Sequence, residues 1–112
     1  MIDEKTLSKI QGLLEEGKFE FDRDAEMDIF KQGYNWKKSF ILDCLRKGKH
    51  YKGDELYPDD KEKHNRYYCI HKYNLLFSKL ILIGFIIQEG ILIIHIAPSN
   101  KGSKEGKIYY SL

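Results

Sequence analysis

The sequence predicts an α+β domain in which N-terminal helices pack on one face of a small antiparallel C-terminal sheet. Apolar residues recur at helical spacing in the first half of the chain. The last third instead contains three runs typical of consecutive strands, at residues 66–73, 78–88 and 91–97. Helices that precede the strands, rather than alternate with them, favour the α+β class. The 112 residues suffice for one hydrophobic core, so we expect a single domain over residues 1–112.

Residues that can cap helices and glycines that can end them delimit three predicted helices. Between the first two helices, Lys18–Phe21 alternates polar and apolar residues, which predicts a short strand with both phenylalanines facing inward. The expected N-terminal cap and the glycine that ends the helix are Asp3 and Gly17 for the first helix, which would span Glu4 to Glu16, Asp22 or Asp24 and Gly33 for the second, and Asn35 and Gly48 for the third.

The middle run of the C-terminal third predicts the centre of the sheet. Residues 80–87 are apolar except at Gly84, so both faces of this strand need cover. Glu89 and Gly90 then predict a tight reversal into the next strand, typical of an antiparallel hairpin. Residues 107–111 are a candidate for a further edge strand.

Residues 49–65 are polar and rich in turn-forming residues, and they form the longest predicted loop. Loops of this length in compact domains are often functional or mobile. The longest apolar run, residues 80–87, is too short to span a bilayer, and no signal-peptide pattern opens the chain. We therefore expect a cytoplasmic protein without a membrane partner.

Charge is distributed unevenly along the chain, although the net charge is only +2. Residues 1–30 carry nine acidic and four basic residues, a net of −5, whereas residues 31–112 carry eight acidic and fifteen basic residues, a net of +7. An acidic helical layer behind a basic surface would attract phosphate. The alternative is that these charges only keep exposed faces soluble.

Basic residues interleaved with tyrosines predict a surface for single-stranded RNA. Lysine and arginine neutralise phosphates, and tyrosine rings offer flat faces on which unpaired bases stack. A solvated loop of a basic protein has a similar composition. The predicted RNA-binding residues are Lys49, His50, Lys52, Lys63 and Arg66 around the long loop, and Lys101, Lys104 and Lys107 in the C-terminal tail.

Three residues are candidates for the catalysis of metal-independent RNA cleavage. Such a reaction needs a base for the 2′-hydroxyl, an acid for the leaving oxygen and cations for the charge on phosphorus. We predict that His71, His95 and Tyr109 supply proton transfer, with Lys52 or Lys101 stabilising the phosphorane. The alternative for His95 is a structural histidine bonded to backbone, because the strand register is not fixed by the sequence.

Motifs for metals and nucleotides are absent from the sequence. Cys44 and Cys69 have no ligand spacing and are expected to be buried thiols. Neither His-x-x-x-His nor Cys-x-x-Cys occurs, and no G-x-x-x-x-G-K-[ST] loop is present. We therefore expect no metal site and no cofactor.

The order of these predicted elements resembles the MqsR branch of the RelE-like toxin superfamily. Residues 24–34 also resemble the H-A-x-x-R-M-x-x-R-G-I helix of a related family of small domains, with Ala25 and Gly33 matching and Ile29 a conservative replacement. The family's His, Arg and Arg correspond here to Asp24, Asp28 and Gln32, so their roles are not carried over.

The resemblance implies a RelE-like fold and the toxin component of a bacterial toxin–antitoxin system. Such a protein would be an endoribonuclease acting on mRNA and neutralised by a protein antitoxin. The alternative is a non-catalytic module that binds RNA or protein through the same surface. A third possibility is a structural subunit that oligomerises through the sheet.

Overall fold

The computed structural model describes residues 1–31, 38–74 and 79–96, which have the predicted α+β architecture. The predicted helix end Gly33, the predicted cap Asn35 and the candidate strand at 107–111 lie outside the described residues. The described elements are α1 (Glu4–Glu15), β1 (Phe19–Phe21), α2 (Arg23–Lys31), α3 (Lys38–Lys47), β2 (Lys49–Lys52), α4 (Gly53–Leu56), a 3-10 turn (Lys61–Lys63), β3 (Tyr67–Asn74), β4 (Lys79–Gln88) and β5 (Ile91–Ile96).

Both predicted N-terminal caps that the structure describes are present. The Thr6 backbone N–H donates to Asp3 Oδ1 over 2.7 Å at the start of α1. The Ala25 N–H donates to Asp22 Oδ1 over 2.6 Å at the start of α2, so Asp22 rather than Asp24 is the cap.

The five described strands form one sheet in the order β1-β5-β4-β3-β2. The predicted antiparallel meander of β3, β4 and β5 is confirmed, and the apolar strand β4 lies in the centre. Glu89 and Gly90 have φ of 53° and 75°, the left-handed conformation that a two-residue hairpin turn requires. The sheet is mixed rather than purely antiparallel, because β1 pairs in parallel with β5.

One face of the sheet, here called the helix face, contacts α1, α2 and α3. Its strands contribute residues such as Cys69, Ile83 and Phe85, all of them fully buried. The helices contribute Ile10, Leu14, Ala25, Ile41, Cys44 and Leu45 to the same core. Phe19 and Phe21 of β1 pack against this core, as predicted.

The other face of the sheet, here called the opposite face, carries a smaller apolar cluster. Tyr51, Tyr68, Ile70 and Leu82 form this cluster together with Leu56 of α4. The segment that follows β2 therefore folds back over β2 and β3. It supplies the second cover that the apolar pattern of β4 requires.

The prediction of one long loop over residues 49–65 was wrong. This stretch contains β2, α4 and the 3-10 turn, and β2 pairs residue by residue with β3, from Lys49 opposite Ile70 to Lys52 opposite Tyr67. Strand β2 has only four residues and begins and ends with lysine, so its local pattern does not distinguish it from a loop. Pairing with β3 decides its conformation.

Gly53 lies where the two ends of this segment meet. Its N–H donates to the Arg66 carbonyl over 2.8 Å, and a Cβ at this position would overlap the Lys63 carbonyl. Only glycine allows the two backbones to approach this closely. The contact therefore fixes where Lys52, Lys63 and Arg66 lie relative to one another.

We expect Gly53→Ala to destabilise the protein by about 1–3 kcal/mol, because the added methyl group forces the two backbone segments apart. Gly12→Ala is the matched control, since a Cβ at Gly12 meets nothing within 4 Å. It should stabilise α1 by up to about 1 kcal/mol through helix propensity. Urea denaturation measures both changes. Unaltered stability of Gly53→Ala would show that the close contact is absent.

Candidate functional site

Four exposed basic residues line one edge of the sheet and are here called the basic edge: Arg46 and Lys47 in the last turn of α3, and Lys49 and Lys52 in β2. No acidic residue occurs between positions 46 and 52. Lys47 pairs with Asp43 over 3.0 Å, whereas the other three form no ion pair within the described part of the chain. The edge therefore presents concentrated positive charge to solvent. Arg46 was not among the predicted contacts, although the run Arg-Lys-Gly-Lys indicates it.

The strand order separates this positive edge from only a part of the acidic N-terminal segment. Strand β1 forms the other edge of the sheet, and α2, which starts directly after it, carries acidic residues in its first turn. The start of α1 instead lies beside β2, because the Ile2 N–H donates to the His50 carbonyl over 3.1 Å, and the carboxylates of Asp3 and Glu55 lie close enough to Lys52 for electrostatic attraction. Lysines on an edge strand also discourage unwanted pairing with other strands, a purely structural role.

The chain between α4 and β3 brings two more predicted residues, Lys63 and Arg66, towards the basic edge, together with His64. The Lys63 ammonium lies 4.0 Å from the centre of the Tyr57 ring and 3.6 Å from Asp60. His64 Nε2 lies 2.9 Å from the Tyr57 carbonyl oxygen. Arg66 is exposed, and its carbonyl is tied to the residue after Lys52. Of the predicted RNA contacts, the structure therefore brings the backbones at Lys52, Lys63 and Arg66 together, although Lys52 lies opposite Tyr67 on the helix face.

The tyrosines do not form the expected stacking surface. Tyr51 and Tyr68 are only 7% and 3% exposed, and Tyr68 packs over Gly84. The Tyr67 ring faces the helix side, stacked on Phe85 with a centroid distance of 5.6 Å. Tyr57 is half-buried and packs against Tyr68. These rings serve mainly as core, so Tyr51 and Tyr68 are not available to unpaired bases.

His50 is also a core residue rather than a surface contact. It lies opposite Cys69 on the helix face, is 4% exposed, and its Nε2 atom has no hydrogen-bond partner among the described residues. Loss of hydration lowers the pKa of this ring, against smaller opposing effects of the Gly48 and Leu45 carbonyls. The placement corrects the prediction that His50 contacts RNA.

His95 pairs with Asp22 on the opposite face. Its Nδ1 atom contacts Asp22 Oδ2, while Asp22 Oδ1 caps α2. Because a carboxylate accepts, Nδ1 carries the proton when the ring is neutral, and Nε2 is then the acceptor. One aspartate thus fixes both the start of a helix and the tautomer of a histidine. No local pattern indicates this pair, whose members are 73 positions apart in the chain.

His71 does not join His95. His71 lies opposite Ile81, whereas His95 lies opposite Gly84, and these two partners are three residues apart on β4. Side chains three residues apart in a strand point to different faces. His71 is therefore on the helix face and His95 on the opposite face. The prediction that the two histidines converge was wrong. Tyr109, Lys101, Lys104 and Lys107 lie outside the described residues.

The cysteines are buried and free, as predicted. Burial raises the pKa of Cys44 to about 11 and also raises that of Cys69. Among the described residues, no three histidine, cysteine or acidic side chains form a group able to hold a metal ion. None of the helices in the described ranges combines the length and apolar character needed to cross a membrane.

No known family model and no curated protein matches this chain. Its candidate sites are therefore assessed from their own chemistry.

We expect stability to fall as the pH decreases below about 6.5, the pKa of an unperturbed histidine. The pKa of His50 is lower in the folded chain, so unfolding takes up a proton in this range and acid favours the unfolded state. Above about 6.5 the ring is neutral in both states and this loss disappears.

Thermal denaturation of the parent and of His50→Leu between pH 7.5 and 5.5 measures the effect. The variant should lose part of the pH dependence, whereas His71→Gln, which replaces a half-buried histidine on the same face, should retain it. Equal pH dependence in the parent and His50→Leu would contradict a buried neutral His50.

Proposed function

We propose that this protein binds single-stranded RNA through the basic edge. The observation that carries the proposal is the cluster of four exposed bases without an acidic residue between positions 46 and 52. Lys63 and Arg66, held nearby through the Gly53 contact, extend the positive surface. Such a surface neutralises phosphates and releases their counterions, which supplies affinity.

The burial of Tyr51 and Tyr68 makes the expected recognition mainly electrostatic. Without those rings, few flat surfaces for bases remain among the described residues near the basic edge, and contacts to phosphate carry little sequence information. We therefore expect binding that depends strongly on salt and weakly on base sequence. Single-stranded DNA of the same sequence should bind with similar affinity, because the phosphates are the same.

The logarithm of the association constant should fall linearly with the logarithm of the salt concentration. Each phosphate contact to a single strand contributes about −0.7 to the slope, so four contacts predict a slope of about −3. Lys49→Gln/Lys52→Gln should reduce the slope by about 1.4 through the loss of two contacts. Fluorescence anisotropy with a labelled oligonucleotide measures it.

Lys18→Gln/Arg23→Gln is the matched control, because it removes the same charge from exposed positions beside β1, at the other edge of the sheet. It should leave the slope near that of the parent. Equal effects of the two double variants would show that net charge, rather than the basic edge, determines binding. Absence of binding at low salt would exclude the proposed function.

A second candidate function is metal-independent cleavage of mRNA by a toxin component that a protein antitoxin neutralises. A histidine with one ring nitrogen held by a hydrogen bond favours it, because the other nitrogen can exchange a proton, and both His64 and His95 are candidates on this ground. The resemblance in element order to RelE-like toxins points the same way. Tyr109 and Lys101 stay predicted participants.

We expect the purified protein to cleave single-stranded RNA in the presence of EDTA. A 2′-O-methyl oligonucleotide of the same sequence should bind but remain intact, because its 2′-oxygen has no proton to lose. His71→Gln should cleave at the parental rate, since this residue lies on the helix face. Gel electrophoresis of end-labelled RNA measures the products. If the RNA stays intact after prolonged incubation with bound protein, cleavage is excluded and the non-catalytic binding function is supported.

A further inference from the structure

His64 has one ring nitrogen fixed by the backbone and the other accessible. Its Nε2 atom lies 2.9 Å from the Tyr57 carbonyl oxygen. A carbonyl only accepts, so Nε2 carries the proton and Nδ1 is an acceptor in the neutral ring. Nδ1 bonds to none of the described residues and is not buried without a partner. The fold thus prepares His64 to take up a proton at one defined atom.

The surroundings of His64 also suit a phosphodiester. Lys63 precedes it in the chain, and Arg66, two residues later, is exposed. The same stretch carries the acids Asp59, Asp60 and Glu62, of which Asp60 pairs with Lys63 over 3.6 Å, whereas Arg66 forms no ion pair with the described residues. Arg66 continues the basic edge, because its carbonyl accepts from the N–H of Gly53, the residue after Lys52, so an RNA bound there passes close to the ring.

The surroundings of His95 are less favourable to RNA. Its nearest titratable partner is the Asp22 carboxylate, and the exposed Glu20 lies on the adjacent strand opposite Ile93, on the same face. Two carboxylates beside the ring repel a phosphodiester. His95 is thus well oriented but lies at the acidic end of the sheet.

We propose that His64 is a catalytic residue of this protein and acts as the general base in RNA cleavage at the basic edge. The proposal rests on the proposed RNA-binding function.

In the cleavage step, Nδ1 of His64 takes the proton of a 2′-hydroxyl, the 2′-oxygen forms a bond to phosphorus, and the bond from phosphorus to the 5′-oxygen breaks. The leaving 5′-oxygen takes a proton from water, and His64 returns its own to solvent. The products are a 2′,3′-cyclic phosphate and a 5′-hydroxyl, with no net consumption of water. Arg66 offsets the charge that develops on the phosphoryl oxygens.

Two conservative variants separate the chemistry of each histidine from its structural bond. His64→Gln places an amide N–H where Nε2–H was, so it can keep the bond to the Tyr57 carbonyl while removing the base. His95→Asn similarly places an amide N–H where Nδ1–H was and can keep the bond to Asp22. Each variant is assayed for RNA binding, for cleavage in EDTA and for thermal stability.

His64→Gln should reduce the cleavage rate about 100-fold or more while RNA affinity and stability stay near parental values, because a general base contributes at least that factor. His95→Asn should change the rate by less than about tenfold, well below the contribution of a general base. Retained cleavage in His64→Gln, or loss confined to His95→Asn, would overturn the assignment. RNA bound but never cut by the parent would also overturn it and leave the binding function intact. Absence of RNA binding would instead reject the proposed function itself.

Discussion

The apolar central strand β4 imposes the main constraint on this structure, because both of its faces must be removed from water. From Ile81 to Phe85 every side chain is buried, and the strand lies between β3 and β5. Three helices cover one face. The chain that follows β2 covers the other face at β3, where Leu56 and Tyr57 pack with the ring of Tyr68. This second cover determines where the candidate binding residues lie, since Lys63, His64 and Arg66 belong to the chain that provides it.

Much of the fold was predictable from the sequence because its strongest signals are local. The helix cap at Asp3, the inward phenylalanines of β1, the apolar centre of the sheet and the Glu89-Gly90 turn each depend on a few neighbouring residues. Strand β2 was missed because it is short and polar, and its conformation depends on pairing with β3. The parallel pairing of β1 with β5 joins residues about seventy positions apart, which no local pattern reveals.

The candidate site was less predictable, because residue type does not determine the face on which a side chain lies. His71 and His95 occur in similar apolar strands, but the register places them on opposite faces. A shift of one residue would have reversed this result. His50 and Tyr51 share the polar character of their neighbours, and yet both are buried. From residue type alone, only the lysines and arginines could be assigned to the surface, since a charged side chain without a partner stays in water.

The strand order determines where in the fold the opposite charges of the two halves of the chain lie. Because β1 pairs with the last described strand, Glu20 and the acidic first turn of α2 lie at the edge farthest from β2, whereas Asp3 follows Ile2, whose N–H donates to the His50 carbonyl of β2. A net charge of only +2 therefore coexists with a strongly basic edge. Attraction of phosphate depends on the local distribution of charge, with a screening length of about 8–10 Å at physiological salt. Strands lie about 4.8 Å apart, so four strand spacings exceed that length and acids near β1 weaken the field at β2 only slightly. The same separation gives His64 and His95 different electrostatic surroundings, although both have one ring nitrogen fixed by a hydrogen bond. Orientation alone does not make either histidine suited to an anionic substrate, and the nearby charges distinguish them.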